Sequence, residues 1–309
     1  MPPSPSAGTT PAAEQRPADG SVSLSAGLYV VATPIGNLED LGMRAARILR
    51  TVSLIAAEDT RTSRTLLQSI GAGARCIALH AHNEAEAAGD IVTRIRDGAA
   101  VALITDAGTP GISDPGARLV AAAHAAGVKV VPIPGASAAT VLVSAAGLPE
   151  GRFLFEGFLP SRPRHRRDRL TILAALPCAF LLFEAPHRIE ETAADLAAIL
   201  DPTRDVVLGR ELTKQFEQIV RLSVAGLPRW LAQDPNHRRG EFAILVFPPV
   251  PAVVDEDAPV VRPLSEIGLR ALAVLSETLP PRQAARLASR IGGDPANDLY
   301  RHAVTSRAR

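Results

Sequence analysis

Cysteine is almost absent, with Cys76 and Cys178 the only two in 309 residues. They lie far apart, and neither belongs to a CxxC or Cys/His spacing suited to a metal, so no metal site is expected. Both are expected as buried core thiols. Long apolar runs are missing too: no stretch reaches the ~18 residues of a membrane span. The first 26 residues are rich in Pro, Ser, Ala and Gly and hold no segment resembling a signal peptide. They read as a disordered tail, and the chain as cytoplasmic with no membrane partner. Aromatics make up only 4% of the chain, too few to line a macrocycle pocket generously. The net charge is small, +1, so charged partners must be sought in local clusters.

What is present is an ordinary globular composition, 47% apolar and 21% charged, in a chain longer than the roughly 100–200 residues of a usual domain. From Leu28 onward short apolar runs alternate with helical patterns, the mark of helices packed on a sheet with many parallel neighbours. The runs are Leu28 to Ala32, Ser53 to Ala57, Ile77 to Leu79, Val101 to Thr105 and Val128 to Ile133. After a turn-rich break at Gly147 to Gly151 they resume at Phe153 to Glu156, Ala179 to Glu184, Asp205 to Arg210, Gln218 to Leu222 and Glu241 to Phe247. The expected fold is α/β: two αβα domains with a ligand cleft between them, then a small C-terminal helical extension. The bounds are a tail over 1–26, domains over 27–149 and 150–249, a Pro- and acid-rich linker over 250–263, and the extension over 264–309.

Polar segments follow several strands directly, at the sheet edge where open α/β folds bind ligands. Thr33-Pro34-Ile35-Gly36-Asn37 follows the first strand with one glycine, a poor fit to a dinucleotide fingerprint. Thr105 to Gly116 packs three glycines and two prolines into a loop whose backbone can approach a ligand. Pro134-Gly135-Ala136-Ser137-Ala138 opens a helix whose free amides suit a polar group. Phe183-Glu184-Ala185-Pro186-His187-Arg188 gathers a carboxylate, an imidazole and a guanidinium, a candidate acid/base cluster. Glu58-Asp59-Thr60-Arg61 and Gly209 to Lys214 repeat the layout, and this recurrence points to one active-site cleft.

Arginine is concentrated twice. Pro160 to Arg169 holds five arginines against one aspartate, and Arg density of this kind favours phosphate contact; His237-Arg238-Arg239 could extend the patch. Between Pro281 and Arg309 six arginines face two aspartates, with Arg282, Arg286 and Arg290 at helical spacing on one face. This reads as an RNA-contacting module or as a solvated helix.

Taken together, VATPIGNLEDL, AAEDTRTSRTLL, ITDAGTPGISDPG, VPIPGASAATVLVSAAGLP, FEGFLP, FEAPHRI and GRELTKQFE strongly resemble the branch of the tetrapyrrole methylase superfamily that acts on small-subunit ribosomal RNA. The likeness runs in order from about Leu28 to Phe247, and Leu279 to Val304 looks like that branch's helix-turn-helix-like extension. The resemblance implies a homodimer that uses S-adenosyl-L-methionine to methylate the 2'-oxygen of a cytidine in the 16S decoding centre. It implies donor contacts at Pro34, Ile35, Gly108, Thr109, Ile112, Ser137, Ala138, Phe183, Ala185, Gly240 and Glu241. A ribose hydroxyl is a weak nucleophile, so a base should take its proton. Glu184 or His187 is expected in that role, with Glu58, Asp59 and Arg61 shaping the acceptor side. Arg162, Arg164, Arg166, Arg167, Arg282, Arg286 and Arg290 are the expected RNA contacts. A small-molecule methyltransferase on the same fold, and an RNA-binding assembly factor without catalysis, are the competing readings.

Overall fold

The computed structural model describes residues 24–80, 83–149, 151–249 and 264–307; most of the expected tail and the whole expected linker lie outside them. Leu24 to Ala26, assigned to the tail, belong to the fold: Leu24 packs against the first sheet's core, and the Tyr29 hydroxyl donates to the Ser25 carbonyl at 2.9 Å.

The first sheet consists of β1 (Gly27–Val31), β2 (Leu54–Ala57), β3 (Arg75–Ala78), β4 (Ala100–Ile104) and β5 (Val130–Ile133). Its order is β3-β2-β4-β1-β5, all parallel. Both faces must then be covered, which is why β1, β2 and β4 are apolar without a break. Helices α1 (Met43–Thr51) and α2 (Thr60–Ser69) cover one face. Helices α3 (Glu84–Arg96) and α4 (Ala117–Ala125) cover the other.

After α5 (Ala138–Ala146) the second sheet takes β6 (Phe153–Phe158), β7 (Ala179–Glu184), β8 (Asp205–Arg210), β9 (Gln218–Ser223) and β10 (Phe242–Val246), in the order β6-β7-β10-β8-β9. Here the expectation of parallel neighbours fails, since only β6 and β7 run parallel. The cause is connectivity: β8 and β9 are joined by a short loop with no crossover helix, which permits only an antiparallel pair. Period-two alternation divides β7 between two cores. Phe180 and Leu182 face α6 (Pro163–Ala174), α7 (Ile189–Ile199) and α8 (Leu227–Gln233), whereas Ala179, Leu181 and Phe183 face α5.

The described residues form two compact units divided between Val250 and Pro251, both sheets lying in the first. In the second, α9 (Glu266–Leu275), α10 (Pro281–Gly292) and α11 (Ala296–Arg307) share a core of Leu272, Ala284, Ala285, Ala288 and Leu299. A Cβ on Gly292 would stand 2.5 Å from the Gly268 Cα, so glycine is needed where α9 and α10 meet. Arg282, Arg286 and Arg290 are exposed, opposite this alanine face.

Both cysteines are free and only partly buried, a correction to the expected core placement. Cys76 lies on β3, an edge strand with an open side, and Cys178 stands just before β7 begins. Among the described residues no helix is long and apolar enough to cross a membrane.

Candidate active site

Three strand ends of the first sheet are tied together by hydrogen bonds. Thr33, past β1, exchanges hydrogen bonds with Gly108, past β4, at 2.8 and 3.1 Å, and the Thr109 hydroxyl donates to the Ala136 carbonyl beyond β5 at 3.0 Å. Gly135 must lack a side chain because a Cβ there would meet the Ala32 Cβ at 2.8 Å. Opposite, the second sheet contributes the ends of β6 and β7, the start of β10, and the loop after β8. A cavity of about 340 Å³ lies between them, within the ~300–1,000 Å³ range of small-molecule sites.

Of the residues expected at a donor site, Ile35, Thr109, Ile112, Ser137, Ala138, Phe183, Ala185 and Glu241 line this cavity. Pro34, Gly108 and Gly240 are not among its walls. Pro34 is buried, Gly108 is occupied by the Thr33 pairing, and Gly240 backs onto Glu211, whose Cγ would lie 2.4 Å from an added Cβ. Sequence reasoning missed Asp114, Phe158, Leu212 and Phe242, all of which line the cavity. Asp114 stood inside the quoted glycine-rich loop, and its position beside Ser113 was the available signal.

Among the described residues the non-glycine residues with positive φ are Ser113 (68°), Glu211 (51°) and Thr213 (64°). For a β-branched threonine this is a true outlier, and such strain gathers at sites where the surroundings over-determine the backbone. The loop carrying Glu211 and Thr213 lies on the first loop: a Cβ on Gly36 would stand 2.3 Å from the Lys214 Cγ. Lys214 itself pairs with Glu211 at 2.8 Å and Glu241 at 2.9 Å.

The acidic side is built from neighbouring strand ends. The Asp106 amide donates to a Glu58 carboxylate oxygen at 3.3 Å, and the Asp59 amide donates to Asp106 at 3.1 Å. Asp59 caps α2 and accepts from the Arg61 guanidinium at 2.9 Å, so Arg61 holds its pKa down at about 2. Burial pushes Glu58 and Asp106 up. Asp114 is raised to about 6, by burial first and then by the Glu58 and Asp106 charges. Three acidic residues line the cavity, Glu184, Glu241 and Asp114. Glu241 is tied to Lys214, and Asp114 accepts no hydrogen bond among the described residues.

The geometry takes Glu184 out of contention as a base. Its carboxylate is fully buried and accepts from the Thr192 hydroxyl at 2.6 Å and the Ala185 amide at 2.9 Å, with the Arg188 guanidinium at 3.3 Å. Arg188 in turn donates to the Leu159 carbonyl at 2.7 Å. Glu184 therefore braces the end of β7 against the end of β6. Glu184→Gln is expected to lower stability by about 1–3 kcal/mol, the usual cost of disturbing a buried hydrogen-bonded group, while turnover stays within a few-fold. Urea unfolding beside a methyl-transfer assay measures both; a hundredfold loss of turnover at unchanged stability would return it to the role of base. His187 is exposed on the turn beyond Pro186 and does not line the cavity.

The arginine run also divides. Arg162, Arg164 and Arg167 are exposed on the start of α6, but Arg166 is 2% exposed, which corrects its expected contact with RNA. It donates to Asp195 at 2.6 Å and Glu191 at 3.0 Å on α7. Its spacing to Leu170 and Leu173 puts it on the apolar face of α6. Nor do His237 and Arg238 add free charge to the patch: His237 stacks on Trp230 and Arg238 pairs with Glu190 at 3.0 Å.

A parallel sheet and a mixed sheet with a cavity between them form the architecture of a tetrapyrrole methylase. The family profile described as Tetrapyrrole (Corrin/Porphyrin) Methylases matches residues 27–228, and a second, RsmI C-terminal HTH domain, matches residues 263–307. Within that class the chain belongs to the ribosomal RNA small subunit methyltransferase I family. It is 50% identical over 273 residues to the protein of that name from Xylella fastidiosa (strain Temecula1 / ATCC 700964), covering 88% of this chain and 97% of the relative. It is 46% identical over 282 residues to that of Pseudomonas aeruginosa, covering 91% and 98%. The fold is also similar to a uroporphyrin-III C-methyl transferase from Thermus thermophilus complexed with S-adenyl homocysteine, at TM-score 0.51 and 18% identity over 71% of this chain and 96% of that one.

Proposed function

We propose that this chain transfers the methyl group of S-adenosyl-L-methionine to the ribose 2'-hydroxyl of a cytidine in small-subunit (16S) ribosomal RNA. The observation that carries the reading is the cavity at the joined strand ends, in a chain half identical to a relative named for this RNA substrate. Its walls suit the donor. Ile35, Leu212 and Phe242 offer apolar surface to an adenine, and the Thr109, Ser137 and Ala185 segments bring polar backbone close. A sulfonium cation is favoured where Asp114, Glu58 and Asp106 gather negative charge.

Bound there, the donor supplies an electrophilic methyl carbon on sulfur. The protein's task is to align the acceptor oxygen with that carbon and to remove the hydroxyl proton. Asp114 is the group we assign to the proton: it faces the cavity, makes no competing hydrogen bond, and is held near pKa 6, so at neutral pH it is ionised yet a stronger base than an ordinary carboxylate. The exposed Arg162, Arg164 and Arg167 of α6, and Arg282, Arg286 and Arg290 of α10, supply the phosphate contacts. The reading includes a cytoplasmic location, as action on ribosomal RNA requires, and the homodimer implied by the resemblance.

The test is transfer of labelled methyl groups from S-adenosyl-L-methionine to small ribosomal subunits lacking the modification, followed by nucleoside analysis. Labelled 2'-O-methylcytidine is the expected product. Donor binding without labelled RNA would instead favour a small-molecule acceptor, and absence of donor binding an assembly factor.

A further inference from the structure

Strand β6 carries a bulge, and the bulge changes which way its last side chain points. Along β6 and β7 the pairing runs Phe153 with Ala179, Leu154 with Phe180 and Phe155 with Leu181, then slips so that Gly157 meets Leu182 and Phe158 meets Phe183. Glu156 is the extra residue. In an unbroken strand Phe158 would share the face of Leu154, toward α6 and α7. The slip moves it to the face of Phe153, Phe155 and Phe183, which is the cavity side. Bulges next to active sites re-aim side chains in this way.

The device is held from three directions. Gly157 takes φ of +73°, which a side chain would resist, and a Cβ there would stand 3.0 Å from the Ser113 hydroxyl. Glu156 accepts from Nε and Nη2 of Arg169, both at 2.6 Å. Arg188 holds the following Leu159 carbonyl. The Phe158 ring leans edge-on against Phe183, centroids 5.9 Å apart, and remains 52% exposed. Of the large apolar side chains exposed among the described residues, only Phe158 and Ile112 also line the cavity. An exposed aromatic held so firmly at a cavity mouth is unexplained by packing.

What surrounds it identifies the chemistry. Phe158 stands four residues before Arg162, a chain distance of at most about 14 Å, so an aromatic face and exposed guanidinium groups follow one another along the same edge. This is the pairing by which proteins hold single-stranded nucleic acid: rings stack on bases while arginines meet phosphates. The contact of Gly157 with Ser113 also puts the ring's segment beside Asp114.

We infer that Phe158 is a stacking platform for an unpaired nucleobase of the RNA substrate, aimed by the β6 bulge so that the acceptor ribose is presented at the cavity mouth. This inference rests on the proposed RNA substrate. Its test uses the full chain, small ribosomal subunits lacking the modification, and separate measurement of donor binding by calorimetry. Phe158→Ala is expected to raise KM for the subunit roughly 10- to 100-fold, as loss of one stacked base would, with donor Kd unchanged and Phe158→Tyr close to the parent. A donor Kd raised in parallel with KM would overturn the inference by placing the ring on the donor side, as would an unchanged KM. If the unsubstituted protein labels no RNA at all, the failure lies with the proposed function and is seen before any variant is made.

Discussion

Asp114→Asn should lower methyl transfer by about 10²–10³-fold, the usual contribution of a positioned base, and should at the same time make the protein more stable. The two effects have one cause. Asp114 sits half-buried at the cavity among carboxylates, where burial and then the Glu58 and Asp106 charges lift its pKa from 3.8 to about 6. An acid whose pKa is higher in the folded than in the unfolded state retains a proton on folding between those values. Stability therefore falls as pH rises from about 4 to 6 and stays reduced above that. Asparagine removes the unfavourable charge. A two-unit shift corresponds to ~3 kcal/mol; part of the carboxylate remains in solvent, so a gain of about 1–2 kcal/mol, a few degrees in Tm, is expected at pH 7. Activity has the opposite pH dependence, because the base must be ionised. Below pH 6 the parent's kcat/KM should fall tenfold per unit, and this limb should be missing in the asparagine variant. Equal activity of the two proteins at pH 7.5 would remove Asp114 from the mechanism, and a hundredfold loss in His187→Ala would transfer the role there.

A protein that keeps a destabilising carboxylate at its cavity shows why the site was only partly readable. The strands were legible because a parallel sheet buried on both faces demands unbroken apolar runs such as Ala100 to Ile104, and loops at their ends carry the glycines that the close approach of Thr33, Gly108 and Gly135 requires. Side-chain direction was not. Glu184 follows an apolar strand just as a catalytic acid would, but whether its carboxylate turns to the cavity or to Thr192 and Arg188 depends on the path of α7. Phe158 was hidden more deeply, since period-two reading assigns it to the wrong face and nothing but Gly157 marks the slip. Asp114 lay within a recognised loop, yet its raised pKa arises first from burial and then from the charges of Glu58, on another strand end, and Asp106, at the start of the same loop, surroundings that spacing along the chain does not reveal.

Arg166 was misread for a different reason, and the correction carries the other large prediction. Five arginines in ten residues suggest a phosphate-binding surface, but a helix distributes them around its axis. Arg166 falls in register with Leu170 and Leu173, and its guanidinium meets Glu191 and Asp195, which lie one turn apart on α7. Removing one partner of a buried pair leaves the other charge unmatched, at a cost of about 3–5 kcal/mol. Arg167 stands 3.6 Å from Asp195 and offers partial relief, so Arg166→Ala should lie at the lower end of that range in urea unfolding. Replacing both partners with apolar residues, Arg166→Met with Asp195→Leu, should recover most of the loss, because the charges then left without a partner, Glu191 and Arg167, are both more than half exposed. The recovered variant also isolates the RNA question. Each phosphate contact adds roughly 0.7–0.9 to the slope of log affinity against log salt. The double variant should keep the parent's slope, whereas Arg164→Ala should lower it by about that amount. A slope reduced in the double variant, with stability restored, would mean that Arg166 leaves Asp195 to reach the RNA, and that α6 moves when substrate binds.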